Sequence, residues 1–170
     1  MGVYRGMRLV FIASLAALVA SCASPYAGRD LPQGSSMAEV QSTMGAPRET
    51  VVDSRGYTVW FYPSGPNGRT TWAATFMPDG RLVNVEQRLT KENLARVQPG
   101  TTTQKQVQEF YGPPWMTWRL PFMPLTEWDY KVLVDNRYFD WFLRFSDDGV
   151  LREAYLLHDP IYDAGARSGN

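Results

Sequence analysis

Residues 34–47 read Gly34-Ser-Ser-Met-Ala-Glu-Val-Gln-Ser-Thr-Met-Gly-Ala-Pro47, and a similar stretch at 100–114 reads Gly100-Thr-Thr-Thr-Gln-Lys-Gln-Val-Gln-Glu-Phe-Tyr-Gly-Pro-Pro114. In each copy a Ser or Thr is followed three positions later by Glu or Gln. This is the pattern of a capping box, in which the two side chains satisfy free backbone donors at the start of a helix. A glycine and then a proline end each copy, and proline forbids continuation of a helix. Each copy therefore predicts one short helix.

Inside both copies, apolar residues recur at helical spacing. They are Met37, Val40 and Met44 in the first copy and Val107, Phe110 and Tyr111 in the second. Gly45 and Gly112 follow, and we expect them to adopt the left-handed conformation that ends many helices.

The correspondence continues downstream of both stretches. Trp60-Phe-Tyr62 corresponds to Trp128-Asp-Tyr130, and the Asp-Gly turn before Leu82 corresponds to the Asp-Gly turn before Leu151. The offset grows from 66 at Gly34/Gly100 to 69 at Gly80/Gly149. Small slips of this kind, located at turns, indicate a duplicated unit.

The fold class predicted from this pattern is α+β: a tandem repeat of short helices followed by an antiparallel β-meander. Alternating and β-rich runs bounded by turn residues predict the strands, and Asp-Gly favours tight hairpin turns. The second unit has an additional predicted helix over 91–97, with Thr90 as its N-cap. The predicted strands cover 49–53, 57–62, 70–77, 82–88, 115–120, 128–134, 138–145 and 150–157.

The first 21 residues have the form of a secretory signal. Arg5 and Arg8 precede an apolar run of 12 residues, Leu9 to Ala20, which is too short to span a bilayer comfortably. Val19-Ala-Ser-Cys22 closes the run and resembles the bacterial lipobox. That resemblance implies cleavage before Cys22, diacylglycerol on its sulfur and an acyl chain such as palmitate on its amine. Ala23 follows, and resemblance to enterobacterial lipoproteins implies sorting to the outer membrane.

The expected domain organisation follows from these boundaries. Residues 1–21 are the signal peptide, 22–33 a lipidated tether, 34–90 the first repeat, 91–159 the second repeat and 160–170 a disordered tail. We expect the tether to lack a helix, because residues 23–33 show no periodicity.

Composition argues against several function classes. The 17 basic and 17 acidic residues balance, whereas nucleic-acid binding needs a basic stripe. His158 is the one histidine of the chain, so we expect no metal site of usual ligand spacing and no cofactor. A His158–Asp159 catalytic pair has no accompanying nucleophile motif, and Asp147 and Asp148 fit a hairpin turn better than a carboxylate site. We therefore do not expect an enzyme.

The pattern Gly-x₅-Val-x₄-Gly-x-Pro, followed by Trp-x-Tyr and an Asp-Gly hairpin, resembles the SmpA/OmlA (BamE-like) outer-membrane lipoprotein domain. Residues 34–47 match the pattern, and residues 100–114 match it with one extra residue after Gly100. The resemblance covers most of 31–159 as two copies. Two such copies are also similar to the β-lactamase-inhibitor-protein architecture. The resemblance implies an α+β fold, a periplasmic position on the outer membrane and protein partners.

The expected function is therefore that of a lipid-anchored outer-membrane protein that faces the periplasm and binds envelope proteins. Such a protein supports outer-membrane protein assembly, with the β-barrel assembly machinery as partner, or envelope integrity. The alternative is an inhibitor of a periplasmic hydrolase that uses a concave aromatic sheet surface. Aromatic residues are frequent at binding hot spots. The predicted partner-binding residues flank prolines outside clear strand alternation: the aromatic residues Trp115, Trp118 and Phe122, and the apolar Met123.

Overall fold

The structure is a computed structural model that describes residues 25–64 and 69–159. Within these residues the chain forms two four-stranded antiparallel sheets, each with its strands in chain order. A 3₁₀ helix, Pro25–Asp30, comes first. The remaining elements are α1 (Met37–Met44), β1 (Glu49–Val52), β2 (Thr58–Pro63), β3 (Thr71–Phe76), β4 (Leu82–Gln87), α2 (Lys91–Leu94), α3 (Gln104–Tyr111), β5 (Met116–Arg119), β6 (Leu125–Val134), β7 (Arg137–Ser146) and β8 (Leu151–His158).

The predicted α+β class, a tandem of short helices followed by a meander, is wrong. The described residues are mostly β, and the helices are few and short. The capped helices α1 and α3 have only eight residues each, whereas β6 and β7 have ten. The start and stop signals of the two helices are clear in the sequence. The prediction therefore overestimated the share of helix in the fold. The added helix predicted over 91–97 also stops early, at Leu94.

The duplication itself is visible in equivalent hydrogen bonds. The amide of Gly34 donates to the carbonyl of Leu82 at 2.8 Å, and the amide of Gly100 donates to that of Leu151 at 2.7 Å. Both capping boxes form, around Ser36 and around Thr103. Each third strand also shifts register against its fourth strand at the same place, between residues 75 and 76 and between residues 144 and 145.

The glycines that end the two capped helices differ from the expected left-handed geometry. Gly45 has φ 86° and ψ −170°, and Gly112 has φ 78° and ψ −161°. This region of positive φ and extended ψ is essentially restricted to glycine. At Gly112 there is a second constraint, because an added Cβ would lie 2.6 Å from two carbons of the Phe61 ring.

Each sheet packs one face against its own helices. In the first sheet, Tyr62, Ala74, Phe76 and Leu82 form a core with Val40 and Met44 of α1. In the second sheet the core joins β6–β8 to α2 and α3, with the side chains Leu94, Val107, Tyr111, Trp128, Tyr130, Val132, Trp141, Leu143, Phe145 and Leu151. Large aromatic side chains contribute to both cores: Phe76, Trp128, Trp141 and Phe145 are buried, and Trp60 and Trp72 pack against the first core.

Helix α3 contacts both sheets. Val107 and Tyr111 belong to the core of the second sheet. Phe110 packs against the same core, and the guanidinium carbon of Arg88, which follows β4, lies 4.4 Å from its ring centroid. The second face of the first sheet carries a separate buried cluster of Val59, Phe61 and Ala73. Because Phe61 meets Gly112, this cluster is closed by the second repeat.

Part of the predicted tether is folded. Residues 25–30 form the 3₁₀ helix, and Tyr26 makes an edge-to-face contact with Trp72 at 5.6 Å between centroids. Leu31 packs against the first core. The signal peptide over 1–21, Cys22 and the tail over 160–170 lie outside the described residues. Within the described ranges, no helix has the length and apolar character needed to cross a bilayer.

The contact between Gly112 and Phe61 yields a stability prediction. We expect Gly112→Ala to lower the free energy of unfolding by about 1–3 kcal/mol from backbone strain alone, with an added cost from the clash with the ring. Phe61→Ala removes the ring carbons that the added Cβ would meet, so the two substitutions should couple by about 0.5–3 kcal/mol in a double-mutant cycle. Urea unfolding of the four proteins measures this coupling. Additive effects would show that Gly112 and Phe61 do not meet.

Candidate functional site

The second sheet has a face that points away from its core. Strand alternation places on it the residues that lie between the core positions, and the register aligns them in cross-strand rows. One row joins Trp118, Glu127, Arg144 and Glu153, and the next joins Met116, Asp129, Phe142 and Tyr155. We call these residues, with Lys131 and Asp140 beside them, the outer face. The helix residues that pack on this sheet belong to the core on the opposite side.

Glu127 is the centre of the outer face. It is 4% exposed, and three donors hold its carboxylate. The indole nitrogen of Trp118 donates to Oε1 at 2.9 Å, Nε of Arg144 donates to Oε2 at 2.6 Å, and the Tyr155 hydroxyl donates to Oε2 at 3.1 Å. A buried carboxylate is tolerated when it is paired and hydrogen-bonded. The network therefore fixes the positions of one aromatic side chain from β5 and one from β8.

The aromatic side chains of the outer face form a continuous strip across the sheet. Trp118 and Phe142 have ring centroids 6.3 Å apart, and Phe142 and Tyr155 have centroids 5.3 Å apart. The guanidinium of Arg144 lies 5.0 Å from the Tyr155 centroid. The pKa of Arg144 is raised, with the hydrogen bond to Glu127 as the largest cause. The strip thus combines half-buried rings with one fixed cation, a composition typical of binding hot spots.

A second charged group lies at the next row of the outer face. The Lys131 ammonium is 3.0 Å from Asp129 Oδ2 and 2.8 Å from Asp140 Oδ1. Asp129 is 2% exposed, and its Oδ1 has no hydrogen-bond partner among the described residues. Burial raises the pKa of Asp129 above its ordinary value, although Lys131 opposes the shift. The lysine occupies the space where two carboxylates would otherwise attract a free cation.

The hairpin between β5 and β6 extends the outer face into solvent. The amide of Leu120 donates to the carbonyl of Leu125 at 3.0 Å, which closes the hairpin. At its tip, Phe122 is fully exposed and has φ 65°, and Met123 is 52% exposed. A positive φ is unfavourable for a bulky residue. A fully exposed phenylalanine gains nothing from burial, so packing within the described fold does not explain this side chain.

The four predicted partner-binding residues lie close together along the chain in this part of the structure. Trp118 is in β5, half-buried and bonded to Glu127, whereas Phe122 and Met123 are at the hairpin tip. Trp115 is 39% exposed, and the Lys131 ammonium lies 4.6 Å from its ring centroid. No observation here tests their binding role, which stays a prediction.

The remaining polar candidates have structural contacts. Asp148 accepts from the amide of Val150 at 3.2 Å, as expected for a residue in a hairpin turn. Asp147 pairs with Arg119. His158 is exposed with its ring 5.4 Å from that of Phe139, and Asp159 is paired with Arg69 at 3.0 Å. Among the described residues, no group of three or more His, Cys, Asp and Glu is placed to hold a metal ion.

The sequence reasoning missed Glu127, Phe142, Arg144 and Tyr155. A signal for them was present, because the apolar residues Phe139, Trp141, Leu143 and Phe145 alternate along the predicted strand 138–145 and favour one core face. Residues between those positions must point the other way in a strand. Phe142 and Arg144 could have been found in this way, but their pairing with Tyr155 required the register of β8.

Comparison with known proteins adds little. No family model matches the chain, and no curated protein matches it. The chain is similar to the solved structure of YjgB, a DUF4309 family protein from Bacillus subtilis subsp. subtilis str. 168, with 16% sequence identity and a TM-score of 0.32. The match covers 79% of this chain and 90% of that chain. A similarity of this degree supports no conclusion about the fold or the function.

The buried Asp129 gives a pH prediction. Its pKa in the folded state lies above the ordinary 3.8, so folding favours the protonated carboxyl. Its stabilising contribution is therefore present below pH 3.8 and lost as the pH rises through the folded-state pKa. We expect the free energy of unfolding of the wild type, minus that of Asp129→Asn, to fall as the pH rises from 3.8 through the folded-state pKa. Urea titrations at a series of pH values measure this difference.

Asp147→Asn is the matched control, because the hydrogen bond from Arg119 lowers the pKa of the exposed Asp147. The corresponding difference for Asp147→Asn should rise with pH, opposite in sign to that for Asp129→Asn. A difference for Asp129→Asn that stayed flat or rose with pH would contradict the assignment of Asp129 as a carboxyl destabilised by burial.

Proposed function

We propose that the protein binds envelope proteins through the outer face of the second sheet and the β5–β6 hairpin tip. Lipid on Cys22 anchors it to the periplasmic side of the outer membrane. In this role it is not an enzyme, and it supports outer-membrane protein assembly or envelope integrity. The resemblance of residues 34–47 and 100–114 to the SmpA/OmlA domain, together with the lipobox at 19–22, supports this assignment.

The observation that carries the proposal is Phe122. It is fully exposed and has φ 65°, while Met123 beside it is 52% exposed. Exposed apolar residues standing singly are common on protein surfaces. Here two adjacent apolar side chains lie at the tip of the β5–β6 hairpin, and Trp118 of the same hairpin is one end of the strip of rings formed by Trp118, Phe142 and Tyr155. A partner surface that buries Phe122 would supply the apolar contact that the chain itself does not.

The proposed lipid anchor is inferred from the sequence. Cys22 is the one cysteine of the chain and occupies the position that lipidation requires. Two or three acyl chains give stable membrane attachment. Because residues 25–30 are folded against the first repeat, the segment between the lipid and the folded part is short. The anchored protein would then lie close to the membrane surface.

The same hairpin supports one alternative, an inhibitor of a periplasmic hydrolase. A closed hairpin that presents Phe122 at its tip has a shape suited to insertion into a cleft, with the aromatic strip of the second sheet as a flanking contact. An inhibitor of this kind binds one enzyme tightly and blocks its activity. The identity of the protein that contacts Phe122 distinguishes these two functions.

A photo-crosslinking amino acid placed at position 122 tests the proposal in intact cells. We expect ultraviolet light to join position 122 to an envelope protein, with the β-barrel assembly machinery as the expected partner. The matched control places the same amino acid at Met77, which is 41% exposed at another hairpin. Adducts are identified by mass spectrometry, beside a Cys22→Ala variant that cannot be lipidated.

Three outcomes are distinct. An adduct at position 122, absent at 77 and lost in Cys22→Ala, supports an anchored partner-binding protein. An adduct with one soluble hydrolase in both the anchored and the unanchored protein supports the inhibitor. If position 122 forms no adduct beyond those formed at 77, the hairpin tip is not a binding site.

A further inference from the structure

Strand β8 is the last strand of the second sheet, so one of its sides has no neighbouring strand among the described residues. The amide of Asp159, just after β8, donates to the carbonyl of Tyr138 at 2.9 Å. Hydrogen-bonded and non-hydrogen-bonded pairs alternate along an antiparallel ladder, and the register therefore places Leu156 and Ala154 in non-hydrogen-bonded pairs with β7. The main-chain N–H and C=O groups of these two residues point away from the sheet.

The chain itself satisfies such outward groups at the start of β8. The amide of Leu151 donates to the carbonyl of Thr102 at 2.8 Å, and the carbonyl of Leu151 accepts from the amide of Gly100 at 2.7 Å. Within residues 25–64 and 69–159, no group is hydrogen-bonded to the outward side of Ala154 or Leu156. An open row of this kind on an edge strand is a template for pairing with another strand.

The equivalent edge of the first repeat is closed. Gln87 of β4 is the counterpart of Leu156, because each is aligned with the equivalent tryptophan of the third strand. The carbonyl of Gln87 accepts from Nδ2 of Asn93 at 3.3 Å, and the 3₁₀ helix packs against β3 and β4. Leu156 is 43% exposed, and no described residue donates to its outward carbonyl. Comparison of the two repeats therefore singles out β8 as the open edge.

An apolar groove of about 390 Å³ lies beside this edge, between β8 and the segment 91–99. Among the described residues that line it, Lys91 alone is charged, and its ammonium is already 2.6 Å from Asp135 Oδ2. The groove therefore favours an apolar side chain. Its apolar lining includes Leu94, Val97, Val134, Trp141, Ala154 and Leu156.

The first repeat indicates which kind of side chain suits this place. Its Trp72, the counterpart of Trp141, makes an edge-to-face contact with Tyr26 of the 3₁₀ helix, with centroids 5.6 Å apart. In the second repeat the residue that corresponds to Tyr26, at the offset of 66, is the exposed Glu92. The second repeat therefore supplies no aromatic ring from this position, whereas Trp141 lines the groove.

We infer that β8 is a docking edge for an extended segment of a partner polypeptide, which adds a fifth strand to the four-stranded second sheet. The outward groups of Ala154 and Leu156 bond to the main chain of the segment, and an aromatic or large aliphatic side chain of the segment enters the groove. In this mode of recognition the main chain gives affinity and the side-chain pocket gives specificity.

The neighbouring Leu157 supports an extended segment as the occupant. It is 57% exposed, and strand alternation places it on the face opposite to Leu156. An added strand would contact both leucines at once, one on each face of the sheet. This edge is separate from the hairpin tip at Phe122, and the inference does not rest on the proposed function.

Peptide display against the whole folded chain tests the inference. A library of short random peptides is selected for binding, and a selected peptide is then synthesised in two N-methylated forms. One form has methyl groups on its odd-numbered amides, and the other has them on its even-numbered amides. Because successive N–H groups of a strand point to opposite sides, pairing with one edge uses only one of the two sets.

We expect one N-methylated form to lose binding and the other to retain it. Amide hydrogen exchange at Ala154 and Leu156 should slow in the complex. Leu156→Glu places a charge at the groove and removes apolar contact, so it should weaken binding by about tenfold or more. The matched control is Leu133→Glu in β6, where the leucine is 37% exposed, and it should bind as the wild type does.

The inference is overturned if the library yields no binder, if both N-methylated forms bind equally, or if Leu156→Glu binds as well as the wild type. It is also overturned if the edge already has another occupant. Faster exchange at Ala154 and Leu156 after removal of residues 160–170 would identify that segment as the occupant. A dimer that Leu156→Glu dissociates would identify a second copy of the chain.

Discussion

The contact between the Gly112 backbone and the Phe61 ring is the constraint on which the arrangement of the two repeats depends. Gly112 ends α3, and a Cβ at this position would lie 2.6 Å from the ring. The approach is possible because glycine accepts φ 78° with extended ψ. As a result, Val107 and Tyr111 of α3 pack into the core of the second sheet. The same helix, through Gly112, closes the buried cluster of Val59, Phe61 and Ala73 in the first sheet.

This shared helix makes the duplication asymmetric. In the first repeat both faces of the sheet are covered, one by α1 and one by the second repeat. In the second repeat one face is covered and the outer face remains open. The buried acids of that face are held by ion pairs, Glu127 with Arg144 and Asp129 with Lys131. A sheet that keeps buried charges on its open side needs such pairing, because an unpaired buried charge is strongly destabilising.

The sequence predicted local structure better than it predicted architecture. Both capping boxes, the hairpin turns at Asp79 and Asp148 and the core face of β7 follow from spacing, and the structure contains them. The fold class was wrong because clear helix signals mark elements of eight residues, while the longer strands have no comparable start and stop signals. The 3₁₀ helix was not predicted either, since its contact with Trp72 joins residues that are far apart in the sequence.

The hairpin tip and the cleft beside α3 differ in how well the sequence alone predicts them. Phe122 and Met123 stand out locally, as apolar residues between two prolines. A cleft between the first sheet and α3, lined among others by Arg55, Arg88, Arg96 and Phe110, has no local signal, because these residues come from separate elements of both repeats. Only the packing of α3 against the first sheet brings them together.

The central claim is that α3 joins the two repeats into one cooperative unit. Urea unfolding followed residue by residue with NMR tests it most directly, using the amide of Ala73 in the first sheet and that of Leu143 in the second. Both residues are fully buried, so their signals report on the two cores. A single shared midpoint and slope is the predicted result. Two separate midpoints would contradict the claim and show that the repeats fold independently.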